Sequence, residues 1–126
     1  MGSLEYVSMP QNGINPPGVT ALSHAFAHNP ELRHINLADN TFTVSGAEAF
    51  ALALPKLTKL ETLNLESCLV RTGGAKAIAN ALDGEFPCLK VSVTYFLTSC
   101  LPDAGVHIRL RRWQMSCYHQ LYGLYS

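Results

Sequence analysis

Three passages of the chain repeat one pattern of apolar positions at a constant spacing. The pattern is L-x-x-[LIV]-x-[LM]-x-x-[NC]-x-[IFV]-x-x-x-G, and its copies begin at Leu4, Leu32 and Leu60, at one constant interval. The closely spaced apolar residues that open each copy are typical of a short strand with one buried face. A fixed period of this length predicts a chain built from stacked copies of one supersecondary unit.

After each template glycine, the apolar spacing changes from that of a strand to that of a helix. In the first copy, Val19, Leu22 and Phe26 recur at intervals of three and four. Each copy therefore predicts one strand followed by one helix, with the residues at template positions 1, 4 and 6 facing inward. This period favours the α/β fold class, as a leucine-rich-repeat solenoid of the ribonuclease-inhibitor type with about three repeats and a non-repeat tail.

The repeat pattern is lost after Lys90, which divides the chain into two parts. Residues 1–90 form the predicted leucine-rich-repeat array, and residues 91–126 form a divergent C-terminal tail. For the tail, disorder and an origin as translated intron sequence stay open as alternatives. The first repeat lacks the polar outer face that a terminal repeat needs. We therefore expect residues 1–90 to be a fragment of a longer crescent, and the sequence leaves its oligomeric state open.

The charge balance narrows the classes of partner. The chain has 9 Lys and Arg residues against 9 Asp and Glu residues, so its formal net charge is +0. No net basic field favours nucleic acid. The chain begins without a signal-peptide pattern and contains no apolar run near the ~20 residues that span a membrane. We therefore expect a cytoplasmic protein with no membrane span and no nucleic-acid partner.

The residue types that bind metals or act in catalysis lack the spacing of a site. The four cysteines form no C-x-x-C pair, and the sequence offers no acidic or nucleophilic partner at a useful spacing for His24, His28 or His34. No glycine-rich phosphate loop is present either. We predict no metal site, no cofactor and no catalytic residue.

One polar template position, occupied by Asn12, Asn40 and Cys68, has a structural interpretation. A side chain at this position is expected to turn inward and bond the backbone where the strand ends. Recurrence at one template position is what a stacked ladder of side chains produces. We therefore interpret these three residues as a structural ladder rather than as catalytic amides.

Two runs of sequence go beyond the general template and resemble the leucine-rich-repeat domain of the Ran GTPase-activating protein family. They are MPQNGI at residues 9–14 and DNTFT at residues 39–43, supported by CLVR at residues 68–71. The likeness covers about residues 2–90. It implies a crescent that binds the GTP form of the small GTPase Ran through loops on one edge. The family stimulates GTP hydrolysis by Ran in nucleocytoplasmic transport.

The resemblance carries over a set of partner-binding residues but no catalytic ones. The edge where strands lead into helices contains Gln11, Asp39 and Glu66, and Asn36 and Asn64 lie at the strand ends. No position matches the asparagine and arginine that assist hydrolysis in the family. The resemblance therefore implies a regulator that is not itself an enzyme, here with little activity. It is expected in the cytoplasm and at the nuclear envelope. The alternative is a leucine-rich-repeat protein-interaction module without GTPase-activating function.

Overall fold

The computed structural model describes residues 2–82 together with Phe86 and Leu89. The predictions about the divergent tail at residues 91–126, and about the loss of the repeat after Lys90, lie outside these residues. Residues 2–82 belong to the three predicted repeats.

Within residues 2–82, strands and helices alternate along the chain as the repeat pattern predicts. The elements are β1 (Tyr6–Ser8), α1 (Pro16–Ala27), β2 (His34–Asn36), α2 (Thr43–Ala53), β3 (Thr62–Asn64) and α3 (Arg71–Ala81), with a 3-10 turn at Leu54–Lys56 after α2. The strands form a parallel sheet in the order β1-β2-β3. Its register pairs Val7 with Ile35 and Ile35 with Leu63, so paired residues are equivalent positions of successive copies. The sequence period is thus the register of the sheet.

The inward-facing template positions form the core between the sheet and the helices. In the second and third units, Ile35 and Leu37, then Leu63 and Leu65, are each at most 1% exposed. The first unit is more open, because Leu4 is 45% exposed and its neighbours are less covered than their counterparts. Strand β1 lies at the edge of the sheet. Each unit therefore depends on burial against the next, as in repeat proteins generally.

Aromatic rings and one template glycine lie in the contacts between the helices. The Phe50 ring meets those of Phe26 and Phe42 edge to face, with centroids 6.3 and 5.7 Å apart, a favoured geometry for aromatic pairs. Between α2 and α3, a Cβ added at Gly74 would lie 2.6 Å from the Ala47 Cβ. Glycine is therefore required at position 74, because α2 and α3 approach each other closely there.

Candidate functional site

The polar side chains of the three strands form ordered rows on the face opposite the core, which we call the strand face. Because alternate strand residues point to opposite sides, Tyr6, His34 and Thr62 share this face while their buried neighbours face the helices. A second row, two residues along each strand, consists of Ser8, Asn36 and Asn64. The register of the sheet thus brings together side chains that are far apart in the sequence.

His34 occupies the centre of the first row and has an acidic partner. Its Nε2 lies 3.1 Å from Glu61 Oε2, and its Nδ1 lies 2.8 Å from Thr62 Oγ1. The prediction that His34 lacks an acidic partner is therefore wrong, because the parallel register supplies one from the next repeat. A carboxylate only accepts hydrogen bonds, so a neutral His34 ring would donate from Nε2 to Glu61 and would accept a hydrogen bond from the Thr62 hydroxyl at Nδ1.

Arg33 lies between two carboxylates just before the strands. Its Nε is 3.7 Å from Glu5 Oε1, and its Nη1 is 3.7 Å from Glu61 Oε1. The three side chains retain 40%, 63% and 29% exposure respectively for Arg33, Glu5 and Glu61. Solvent-exposed pairs of this kind contribute little to stability. These three side chains instead form a charged surface with two carboxylates and one guanidinium. This surface is accessible to a partner.

An exposed aromatic ring completes this cluster. Tyr6 is 64% exposed, and its ring lies 5.9 Å from that of His34 at an interplanar angle of 52°. Tyrosine and arginine are enriched among residues that dominate protein–protein binding energies. The predicted partner-binding residues do not include this cluster of Tyr6, Arg33, His34 and Glu61. Aligning the repeats at their common period is the signal that identifies it.

Two predicted partner-binding residues, Asn36 and Asn64, use their side-chain oxygens locally. Asn36 Oδ1 accepts a hydrogen bond from the Ala38 N–H at 3.1 Å, and Asn64 Oδ1 accepts one from the Glu66 N–H at 3.0 Å. These are Asx turns, in which a side chain bonds the backbone two residues later. A partner at the strand ends would therefore contact the side-chain amide nitrogens of Asn36 and Asn64. Their role in binding stays a prediction.

The loops that follow the strands form a second polar surface, which we call the loop edge. Gln11, Asp39 and Ser67 occupy one template position, and their φ angles of 55°, 58° and 57° all lie in the left-handed region. The exposed Gln11 side chain donates from Nε2 to Asp39 Oδ2 at 3.2 Å. Backbone bonds from Gln11 N to Ala38 O and from Asp39 N to Glu66 O continue the sheet into these loops. The predicted loop-edge residues are thus held by a regular scaffold.

The two predicted acidic residues of the loop edge are not equivalent. Ser67, and not Glu66, occupies the position of Asp39, so the exposed Glu66 carboxyl belongs to the residue before it. Gln11 and Asp39 form one direct contact, whereas Glu66 lies one position closer to the strand. The three residues share a surface, but the acidic pair does not form a row of its own.

Asn40 binds the first repeat to the second. The residue is 2% exposed, and its Nδ2 donates to Met9 O at 2.9 Å and to Leu37 O at 3.0 Å. Its Oδ1 accepts from the N–H groups of Asn12 at 3.1 Å and Ile14 at 3.0 Å. Strands have ended at this point, so these backbone groups have no ladder partner. The Asn40 amide supplies their hydrogen bonds, as a structural role requires.

Cys68 and Asn12 occupy the same template position with different partners. Cys68 Sγ donates to Leu37 O at 3.1 Å in the preceding repeat. This bond is equivalent to the one that Asn40 donates to Met9 O. Asn12 departs from the expected inward orientation, because it is exposed and its Nδ2 donates to Pro10 O at 3.1 Å within its own loop. Among the described residues, no strand lies on the outer side of β1 that could supply an inward partner.

The thiol of Cys68 is unsuited to nucleophilic chemistry. Burial raises its pKa to about 11, and the Asp39 carboxylate acts in the same direction. A thiolate is the reactive form, so this side chain stays a neutral thiol near neutral pH. Among residues 2–82, no group of three or more His, Cys, Asp and Glu side chains is arranged to hold a metal ion.

The comparisons with known proteins agree with the repeat architecture. The family described as Leucine Rich repeat matches residues 28–51 and 56–79, which contain β2 with most of α2 and β3 with most of α3. No curated protein matches the chain. No helix in the part of the chain that the structure describes is long and apolar enough to cross a membrane. Residues 28–51 and 56–79 are therefore leucine-rich repeats, a type of module that mediates protein binding.

Proposed function

We propose that this chain binds another protein through its strand face and loop edge. The observation that carries the proposal is the accessible cluster of Tyr6, Arg33 and His34, held by Glu5 and Glu61. It combines residue types that anchor protein interfaces with a row of charges that selects a complementary partner. Buried leucines hold the scaffold that presents it, and Asn40 joins the first repeat to the second.

The resemblance to Ran GTPase-activating proteins makes a Ran-type small GTPase the proposed partner. In that view the three units are part of a ribonuclease-inhibitor-type solenoid, and Gln11, Asp39 and Glu66 contact the GTPase along the loop edge. Carboxylates there complement a basic surface, which affects mainly the association rate and its salt dependence. A role in nucleocytoplasmic transport would place the protein in the cytoplasm, including the outer side of the nuclear envelope.

We expect binding without strong activation of GTP hydrolysis. GTPase activation depends on orienting the attacking water against the transferred phosphoryl group, which requires a complete set of positioned residues. The residues that assist hydrolysis in the resembling family have no counterpart in this chain. The chain is therefore proposed to be a regulator and not an enzyme.

A second candidate function is protein binding without any GTPase. It is favoured by the location of the Tyr6 cluster, because Gln11 follows Tyr6 by five positions along the chain. At the rise of an extended strand, this corresponds to at most roughly 16 Å, and the turn at Gln11 shortens it. A partner that binds the middle of the strand face need not contact the loop edge, and the two surfaces are separable by substitution.

The test is a binding titration with GTP-loaded Ran combined with single-turnover GTP hydrolysis. Asp39→Asn and Glu66→Gln remove the loop-edge charges, and Asn also tolerates the left-handed backbone of residue 39. The matched control is Glu48→Gln on the exposed side of α2. We expect weak, salt-sensitive binding that the paired loop-edge substitutions reduce and the control does not, with hydrolysis little changed. Saturable binding whose affinity is unchanged by all three substitutions would contradict the loop-edge proposal. Strong stimulation of GTP hydrolysis would contradict the proposed absence of activation.

A further inference from the structure

The loop that follows β1 contains the one Asn-Gly pair in the chain, Asn12-Gly13. Asn12 is exposed, and its side-chain nitrogen is held only by an exposed hydrogen bond to Pro10 O. Gly13 has a φ of 63°, and a Cβ placed on it would meet no atom within 4 Å. Within residues 2–82, the Gly13 N–H has no hydrogen-bond acceptor. The Gly13 backbone nitrogen, next to the Asn12 amide, is thus unbonded, and there is open space on the side of Gly13 where a side chain would lie.

We propose that Asn12 is a site of spontaneous deamidation. The Gly13 backbone nitrogen loses its proton and attacks Asn12 Cγ, so that a C–N bond forms while the Cγ–Nδ2 bond breaks and Nδ2 leaves as ammonia. Water then opens the resulting five-membered succinimide at either carbonyl. Opening at the side-chain carbonyl gives aspartate, and opening at the main-chain carbonyl gives isoaspartate. The balance is one amide and one water converted to one carboxylate and ammonium.

The other asparagines of the described residues differ from Asn12 in the residue that follows them. Asn36 and Asn64 precede leucines, whose side chains crowd the attacking nitrogen, and both side-chain oxygens are engaged in Asx turns. Asn40 is buried and its amide is bonded at both ends. Reaction at Asn12 is therefore expected to be selective, and these residues act as internal controls within one sample.

The modification has a defined structural consequence. The N–H groups of Asn12 and Ile14 both donate to Asn40 Oδ1, on either side of Gly13. Isoaspartate inserts an additional CH2 group into the main chain between these two donors, so they no longer converge on one oxygen. The new carboxylate also removes the donor to Pro10 O and adds a negative charge to the loop that carries Gln11. Deamidation therefore alters the contact between the first and second repeats.

The experiment incubates the folded protein in mildly alkaline buffer and follows each asparagine by peptide mapping with mass spectrometry. We expect the Asn12 peptide to exchange NH2 for OH with release of ammonia, while the Asn36 and Asn64 peptides keep their amides. Enzymatic methylation of isoaspartate should label the same peptide, and amide hydrogen exchange at Ile14 should become faster in the modified protein. The variant Asn12→Gln, which cannot readily close the five-membered ring, should gain no charge over the same period.

A parallel incubation in urea separates the effect of the fold from that of the sequence. If Asn12 reacts in the unfolded chain but keeps its amide in the folded one, the loop protects the pair and the proposal is wrong. Equal accumulation of charge in the native sequence and in Asn12→Gln would also overturn it, because the reacting amide would then lie elsewhere.

Discussion

The substitution Leu37→Ala tests the packing that joins the three repeats. Leu37 is 1% exposed and follows β2, the middle strand of the sheet. Its N–H donates to Asn64 O, and its carbonyl accepts from Asn40 Nδ2 and Cys68 Sγ. Alanine retains these backbone groups. The substitution therefore removes side-chain volume from the core while leaving the hydrogen-bonded ladder intact.

The expected loss of stability follows from the deleted carbons. Three buried carbon atoms at about 0.8 kcal/mol each give roughly 2–2.5 kcal/mol of lost transfer free energy. A residual cavity raises the total cost to about 2.7–5 kcal/mol, the range measured for Leu→Ala substitutions in another protein core. A small domain is stable by only about 5–15 kcal/mol, so this loss is a large fraction of the free energy of unfolding.

The measurement is urea-induced unfolding of the whole chain followed by circular dichroism at the helix signal. The matched control is Leu52→Ala, because Leu52 is 80% exposed on α2 and undergoes the same chemical change. We expect the control to shift the free energy of unfolding by less than about 0.5 kcal/mol. If the two variants unfolded at the same urea concentration, Leu37 would not lie in a packed core and the register described above would be wrong.

Three further predictions use other contacts of the described residues. Asn40→Ala should lower the free energy of unfolding by more than about 2 kcal/mol in urea titrations, because buried backbone groups lose their partners. Gly74→Ala should destabilise the protein by about 1–3 kcal/mol because its Cβ would overlap that of Ala47. The control Gly73→Ala should cost less stability than Gly74→Ala in thermal melts of the two variants, because its Cβ would approach only the Val44 methyl groups, at 3.3 and 3.6 Å, and alanine gains helix propensity. The Cys68 thiol has an ordinary pKa of 9.0 and a folded-state pKa of about 11. Between these two pKa values the Cys68 thiol has lost its proton in the unfolded chain but keeps it in the folded chain. The free energy of unfolding should therefore fall as pH rises from 9.0 to about 11. The fall should be smaller in Cys68→Val, and equal slopes in urea titrations across this pH range would contradict the burial of the thiol.

The sequence predicted the fold well because its strongest signal, the constant repeat period, is also the register of the sheet. Leucines at fixed positions have one physical reason to recur, which is burial, and the structure buries Leu32, Ile35 and Leu37 as expected. The greater exposure of core positions in the first repeat, such as Leu4, was also predictable, because each repeat covers one side of the next. The solenoid type depends on the repeat period and the identity of the partner depends on the resemblance, and both stay proposals.

The strand-face contacts were harder to predict because they join residues from different repeats. His34 and Glu61 belong to the second and third repeats, so a search for short spacings misses them. Asn12 departs from the template for a related reason. Asn40 and Cys68 each bond a carbonyl of the preceding repeat, and the described residues contain no repeat before that of Asn12. The positive φ angles at Gln11 and Ser67 could not be predicted either, because glutamine and serine do not favour the left-handed region as glycine and asparagine do.

An NMR titration can show whether the strand face and the loop edge form the binding surface, as we propose. The isotope-labelled chain would be titrated with GTP-loaded Ran while the backbone amide shifts of residues 2–82 are followed. We expect shift changes at Gln11, Asp39 and Glu66 and along β1 to β3, with α1 to α3 largely unchanged. Shift changes confined to the outer sides of the helices, with no change along the strands and loops, would contradict it.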